Sequence, residues 1–194
     1  MYQRNSTSTK KLVGVGLMTA IVVVLQLLGS FIRFGTFSVS LVLIPIVIGA
    51  ALFGVGAGAW LGFVFGVAVL LSGDANAFLT VNAIGTVITV LLKGTLAGLA
   101  AGFVYEKLAS HGSLPATIAA AVVCPIVNTG IFLLGCYLFF YETVAGWGAS
   151  VGYEDFGTYL IIGFVGLNFV FEMVINMVLS PAVVRITQAV SKGH

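Results

Sequence analysis

The chain has 194 residues, 60% of them apolar, with eight basic and six acidic side chains and a formal net charge of +2. Soluble domains carry about 25% charged residues, so this composition excludes a water-soluble globular fold and predicts an integral membrane protein. No basic patch is present, which excludes a nucleic-acid partner.

Hydropathy predicts an all-α, polytopic bundle of six transmembrane helices in a single domain, 1–194. The opening segment MYQRNSTSTKK has no small-residue cleavage site and reads as a retained cytoplasmic tail. The first span covers about 12–28, extending towards 34. The second, about 39–52, is short and contains Pro45; the glycine-flanked turn FGVGAG separates it from the third, about 57–71. The polar loop SGDANAFLTVN leads to the fourth, about 83–105. The linker EKLASHGSLP precedes the fifth, about 116–141, and the longer loop ETVAGWGASVGYEDFG precedes the sixth, about 158–186.

Charge orients the bundle. With both termini cytoplasmic, the inner face holds Arg4, Lys10, Lys11, Lys107, Arg185 and Lys192 against Glu106. The outer face then holds Arg33 against Asp74, Glu142, Glu154 and Asp155. That matches the positive-inside bias and predicts a multi-pass protein of the cell membrane.

Two charges remain within the spans, Lys93 and Glu172. In the last span Asn168, Glu172 and Asn176 lie four apart and share one helical face. A carboxylate at mid-membrane costs roughly 3 kcal/mol or more on insertion scales, so this face meets protein, a partner charge or a wet cavity. Lys93 lies at a depth within a lysine's reach of Glu172, and Asn128 in the fifth span lies level with Asn168. Two readings fit: a structural ion pair with asparagines as interhelical glue, or a solute pocket floored by Lys93 and Glu172 and lined by Asn128 and Asn168.

Glycine recurs every fourth residue at Gly54, Gly58, Gly62 and Gly66, and again at Gly94, Gly98 and Gly102; these faces read as close helix packing. Gly16 and Ala20 repeat the pattern on the first span, beside Thr19, and fit either internal packing or a smooth face for a partner subunit. Outer-side aromatics read mostly as an interfacial belt. Trp147, Tyr153 and Phe156, beside Glu154 and Asp155, also suit a loop that closes over a flat heterocycle. The acidic outer rim disfavours a highly anionic solute and points to a neutral or weakly charged ring compound.

Enzymatic signatures are missing: there is no HExxH, no GxSxG and no Walker lysine motif. His111 and His194 fall outside the spans, so no metal, cofactor or catalytic residue is expected. Cys124 and Cys136, twelve residues apart in one span, lie roughly 18 Å apart along a helix, beyond disulfide reach.

The segment GTFSVSLVLIPIVIGAALFGVGAGAWLGFVFG (35–66), the segment VLLKGTLAGLAAGFVYEKL (90–108) and the segment NTGIFLLGCYLFF (128–140) resemble the corresponding spans of S-components. These are the substrate-binding membrane subunits of energy-coupling factor (ECF) vitamin transporters. Gly16 and Ala20 stand where the family usually carries Ala-xxx-Ala, on the face that meets the coupling subunit. The resemblance implies a non-enzymatic subunit that binds a vitamin or related micronutrient at its outer face, between spans four to six. It implies partnership with a transmembrane coupling subunit and two cytoplasmic ATPases, and delivery by toppling in the membrane. A different reading is a stand-alone secondary transporter or channel with Lys93 and Glu172 as an ion or proton relay; no inverted repeat between the two halves supports it.

Overall fold

The computed structural model describes the backbone of residues 2–30, 33–34, 37–38 and 41–192, and the side chains of 9–30, 41–166, 169–185 and 188. The predicted side-chain roles of Asn168 and Arg33 fall outside these described residues. The long apolar runs form α1 (Tyr2–Gly29), α3 (Val55–Ser72), α5 (Ala83–Leu108) and α6 (Ser113–Phe139). A short α2 (Leu43–Phe53) precedes α3, and a single turn, α4 (Asn76–Leu79), precedes α5. After α6 come α7 (Tyr141–Ser150), the turn α8 (Phe156–Thr158), a π-helical segment Tyr159–Gly166, and α9 (Leu167–Lys192). Between α1 and α2, strands β1 (Arg33–Phe34) and β2 (Phe37–Ser38) form a two-residue antiparallel ladder. The first helix therefore stops at Gly29, short of residue 34.

The architecture is an all-α polytopic membrane fold. Among the described residues four helices are long and apolar enough to cross a bilayer, and the pair Phe156–Gly166 and Phe169–Arg185, bent by 42°, makes a fifth candidate. Large apolar side chains face outward, including Leu71 at 79% and Ile84 at 75% exposed, as lipid contact requires. The second predicted span is different. At 11 residues α2 reaches about 16 Å, well short of a roughly 30 Å hydrocarbon core. Leu43, Ile46 and Val47 are fully or almost fully buried, so α2 is a core helix that the other helices wrap. Pro45 sits in its first turn, where a missing N–H breaks no helical bond.

The glycine repeats explain how the bundle closes. A Cβ on Gly58 would strike the Gly98 carbonyl, one on Gly62 the Gly94 carbonyl, and one on Gly66 the Val90 carbonyl. The partner numbers fall as the first numbers rise, so α3 and α5 pack antiparallel, glycine face on glycine face. At the near end Gly54 turns the chain from α2 into α3 with φ +90°, a conformation that favours glycine. There the Val55 N–H donates to Glu106 Oε1 at 3.3 Å, meeting an unpaired donor of the α3 N-terminus.

One face of α1 is packed and the opposite one is bare. Gly14 lies against the Phe53 ring, Met18 packs on the core, Val22 is fully buried and Gln26 is 2% exposed. These residues are four apart. Offset by two, Gly16, Ala20, Val24 and Leu28 are all exposed, and a Cβ added at Gly16 would meet nothing within 4 Å. Thr19 turns inward: its hydroxyl donates to the Val15 carbonyl at 2.8 Å and accepts from Trp60 Nε1 at 3.1 Å.

Candidate functional site

A cavity of about 80 Å³ lies where α1 and α3 end, α5 begins, and α6 and α9 cross. Its wall takes Gln26 from α1, Phe65 and Val69 from α3, and Asp74 and Ala75 from the turn that follows. Phe78 of α4, then Thr86, Thr89, Val90 and Lys93 of α5, form the next side. Asn128, Thr129 and Phe132 of α6, with Phe140, Val165 and Glu172, complete it.

Local sequence places these groups. Asn82 caps α5, its side chain accepting from Gly85 N–H at 2.9 Å, and so sets the register in which Thr86, Thr89, Val90 and Lys93 share a face. Gly135 lets α6 approach that face, because a Cβ there would collide with Thr89. The π-helical segment widens the chain just before α9 and carries Val165 into the wall.

The lining is polar at defined points. Lys93 Nζ lies 5.6 Å from the Phe65 ring centroid and 5.3 Å from that of Phe132, between two electron-rich faces. Glu172, only 3% exposed, carries the opposite charge in the same cavity wall. Gln26 Nε2 donates to Asp74 Oδ2 at 2.7 Å and to Ser72 Oγ at 3.4 Å, which ties α1 to the α3–α4 turn. The apolar side is a cluster of rings. Phe78 meets Phe140 edge-on at 4.9 Å, Trp147 at 5.5 Å and Phe132 at 5.7 Å between centroids.

The structure thus brings together three residues singled out from sequence, Lys93, Asn128 and Glu172. Asn176, the third member of the stripe, donates to the Glu172 carbonyl at 2.7 Å, a bond within its own helix. The outer aromatics divide. Trp147 stands behind Phe78 and Phe164 as a second layer. Tyr153 and Phe156 line a separate cavity of about 350 Å³ with Tyr141, Glu154, Asp155 and Tyr159. The segment read as a loop is largely helical, since α7 occupies Tyr141–Ser150. Beyond it Asp155 caps α8: its carboxylate accepts from the Thr158 N–H at 2.6 Å, and that bond, with one from the Thr158 hydroxyl, holds its carboxyl below the usual carboxylate range.

Sequence reasoning passed over Gln26, Thr89 and the inward role of Asp74. Of these, Gln26 carried a signal: an amide within one turn of the end of an otherwise apolar span, on the face of Gly14, Met18 and Val22. Cys124 and Cys136 are buried free thiols, as their spacing predicted. Among the described residues no cluster of His, Cys, Asp or Glu is placed to hold a metal ion.

Opposed charges, unmet polar atoms and a ring-lined wall within a membrane bundle suit a small organic solute better than bond-making chemistry. No curated protein and no solved structure matches the chain. The family model described as ECF transporter, substrate-specific component, matches residues 10–184, which is most of the chain, and the protein belongs to that family.

Proposed function

We propose that this subunit binds a vitamin or related micronutrient in the cavity between α1, α3, α5, α6 and α9, and passes it inward together with a coupling subunit and two ATPases. The observation that carries the reading is the Asn128 side chain, 5% exposed and lining the cavity, with its Oδ1 lacking a hydrogen-bond partner. A buried acceptor left unmet costs about 1–3 kcal/mol, which a solute donor recovers on binding. The charges of Lys93 and Glu172 offset one another at the cavity floor, which supports a neutral or weakly charged solute. Asn168 is assigned to the same site by its place one turn before Glu172. Trp147, packed behind Phe78, forms the outer cover, while Tyr153 and Phe156 line the second cavity. A cavity of about 80 Å³ is smaller than the roughly 300–1,000 Å³ of ligand pockets, so loading requires this cover and the α3–α4 turn to move outward.

The same reading takes six spans with both termini cytoplasmic, in a bacterial plasma membrane, α2 being the short inserted member. The exposed Gly16 and Ala20 face is then the docking surface for the coupling subunit. Purification from native membranes tests the proposal. A coupling subunit and two ATPases should co-purify, and mass spectrometry should find one small organic compound retained in near-stoichiometric amount. Uptake driven by an ion gradient with no ATPase partner would instead favour a stand-alone transporter using Lys93 and Glu172 as a relay.

A further inference from the structure

We infer that Thr89 and Asn128 together read the hydrogen-bonding edge of the solute, and that this edge carries an N–H or O–H donor beside an acceptor, as in an amide, a lactam or a hydroxylated heterocycle. The inference rests on the solute-binding reading above and names the chemistry of that site. Thr89 is 4% exposed and Asn128 is 5% exposed, on two different helices of the same cavity. Among the described residues Thr89 Oγ1 and Asn128 Oδ1 are the buried side-chain polar atoms without a hydrogen-bond partner.

Thr89 differs from four threonines elsewhere in the helices. Thr19, Thr86, Thr95 and Thr117 each donate to the carbonyl four residues earlier, at 2.8, 2.7, 2.7 and 2.8 Å. That bond satisfies a hydroxyl at no expense to the bundle, and it is the default for threonine within a membrane helix. Thr89 does not make it. Its side chain is pressed by the close approach of Gly135, where a Cβ would collide with both its methyl and its hydroxyl. Other polar side chains of α5 and α9 are engaged: Asn82 on the Gly85 N–H, Asn176 on the Glu172 carbonyl, and Ser180 on the Asn176 carbonyl.

The chemistry of the two atoms sets the class of solute. An amide oxygen only accepts, so Asn128 Oδ1 requires a donor from the solute. A threonine hydroxyl both donates and accepts, so Thr89 can meet the acceptor beside that donor. A site built to meet such an edge rejects analogues that lack it, because its own buried groups then stay unpaired. Lys93 and Glu172 add opposed charges to the same wall.

The test uses full-length wild type, Thr89→Val and Asn128→Leu, purified free of solute. Each is melted alone, then equilibrated with a defined mixture of water-soluble vitamins and nucleobases, and the retained compounds are quantified by mass spectrometry. Removing an unmet polar atom leaves the solute-free melting temperature equal to or above that of wild type. Retention falls roughly 5- to 150-fold in each variant. The compound that wild type retains bears a donor beside an acceptor, and its N- or O-methylated form is retained no better than the parent is by the variants. The inference is overturned if either variant melts several degrees lower, which marks a structural brace, or if both variants retain the compound as wild type does. It is also overturned if the retained compound has no donor. Should wild type retain nothing from the mixture, the solute-binding reading fails, and this inference with it.

Discussion

Replacing Gly62 by alanine tests the packing that shapes the site. A Cβ at residue 62 would lie 2.6 Å from the Gly94 carbonyl carbon and 3.2 Å from Thr95 Cα, and closer still to the Gly94 carbonyl oxygen. Ordinary contacts begin at 3.4 Å, and every one of these atoms is backbone, so no side chain can swing aside. To relieve the carbonyl-oxygen contact, the helices α3 and α5 must part by more than an ångström. Overpacking of this kind costs about 1–3 kcal/mol, and a backbone obstacle puts Gly62→Ala towards the upper end. For a chain of this length each kcal/mol lowers the melting temperature by roughly 2–4 °C, so the expected loss is about 4–12 °C. Phe65, Val69 and Val90, which line the cavity, move with the two helices, and solute retention should fall as well. Thermal unfolding in detergent, followed by size-exclusion chromatography of the surviving fraction, measures the effect. Gly56→Ala and Gly130→Ala serve as controls, since a Cβ at either position meets nothing within 4 Å. An unchanged melting temperature for Gly62→Ala would refute the glycine-on-glycine contact.

Three further outcomes follow from the structure. Because its hydrogen bonds to Thr158 depress the Asp155 carboxyl, the stabilisation it gives α8 is present above the ordinary carboxylate range and lost as pH falls through the depressed value; hydrogen exchange at the Thr158 amide should show that loss in wild type, and Asp155→Asn should flatten the pH profile, an identical profile in both ruling the cap out. Gly16→Trp and Ala20→Trp, on the bare face of α1, should abolish ATP-driven uptake while leaving solute retention intact; transport that survives both changes places docking elsewhere. Ser8→Cys should resist impermeant thiol reagents added to intact cells while Ala149→Cys reacts, and the reverse pattern would invert the proposed orientation.

Much of the fold was legible because lipid and helix geometry leave few choices. The glycine repeats announced tight contacts, and antiparallel α3–α5 packing follows from two such faces on helices joined by a short turn. Lys93, Asn128 and Glu172 were singled out by depth, since buried charges and amides in a span must converge on something polar, and the three line one cavity. The rest depended on features that a linear pattern does not carry. Thr89 looks like any membrane threonine; only its side-chain placement distinguishes it from Thr86, one turn away, which bonds its own helix. The segment 142–150 reads as part of a loop because Gly146 and Gly148 are poor helix formers, yet a Cβ at Gly148 would strike Tyr159, so packing against the π-helical segment explains a glycine within α7. For α2, hydropathy cannot separate a short span from a buried core helix; its burial shows only that the surrounding helices cover it. Tyr153 and Phe156 were grouped with Trp147 by proximity in sequence, whereas α7 carries them to a second cavity.

Solute occupancy of the cavity bounded by Lys93, Asn128 and Glu172 can be tested directly. Thr129, half-buried in that wall, offers the most direct probe, because Cys124 and Cys136 are buried and will not compete for reagent. Thr129→Cys protein is treated with N-ethylmaleimide, once free of solute and once after equilibration with the vitamin mixture. The solute-free thiol should react, and loading should slow the reaction at least tenfold. Equal rates in the two samples, with a compound demonstrably retained in the second, would contradict solute occupancy of this cavity.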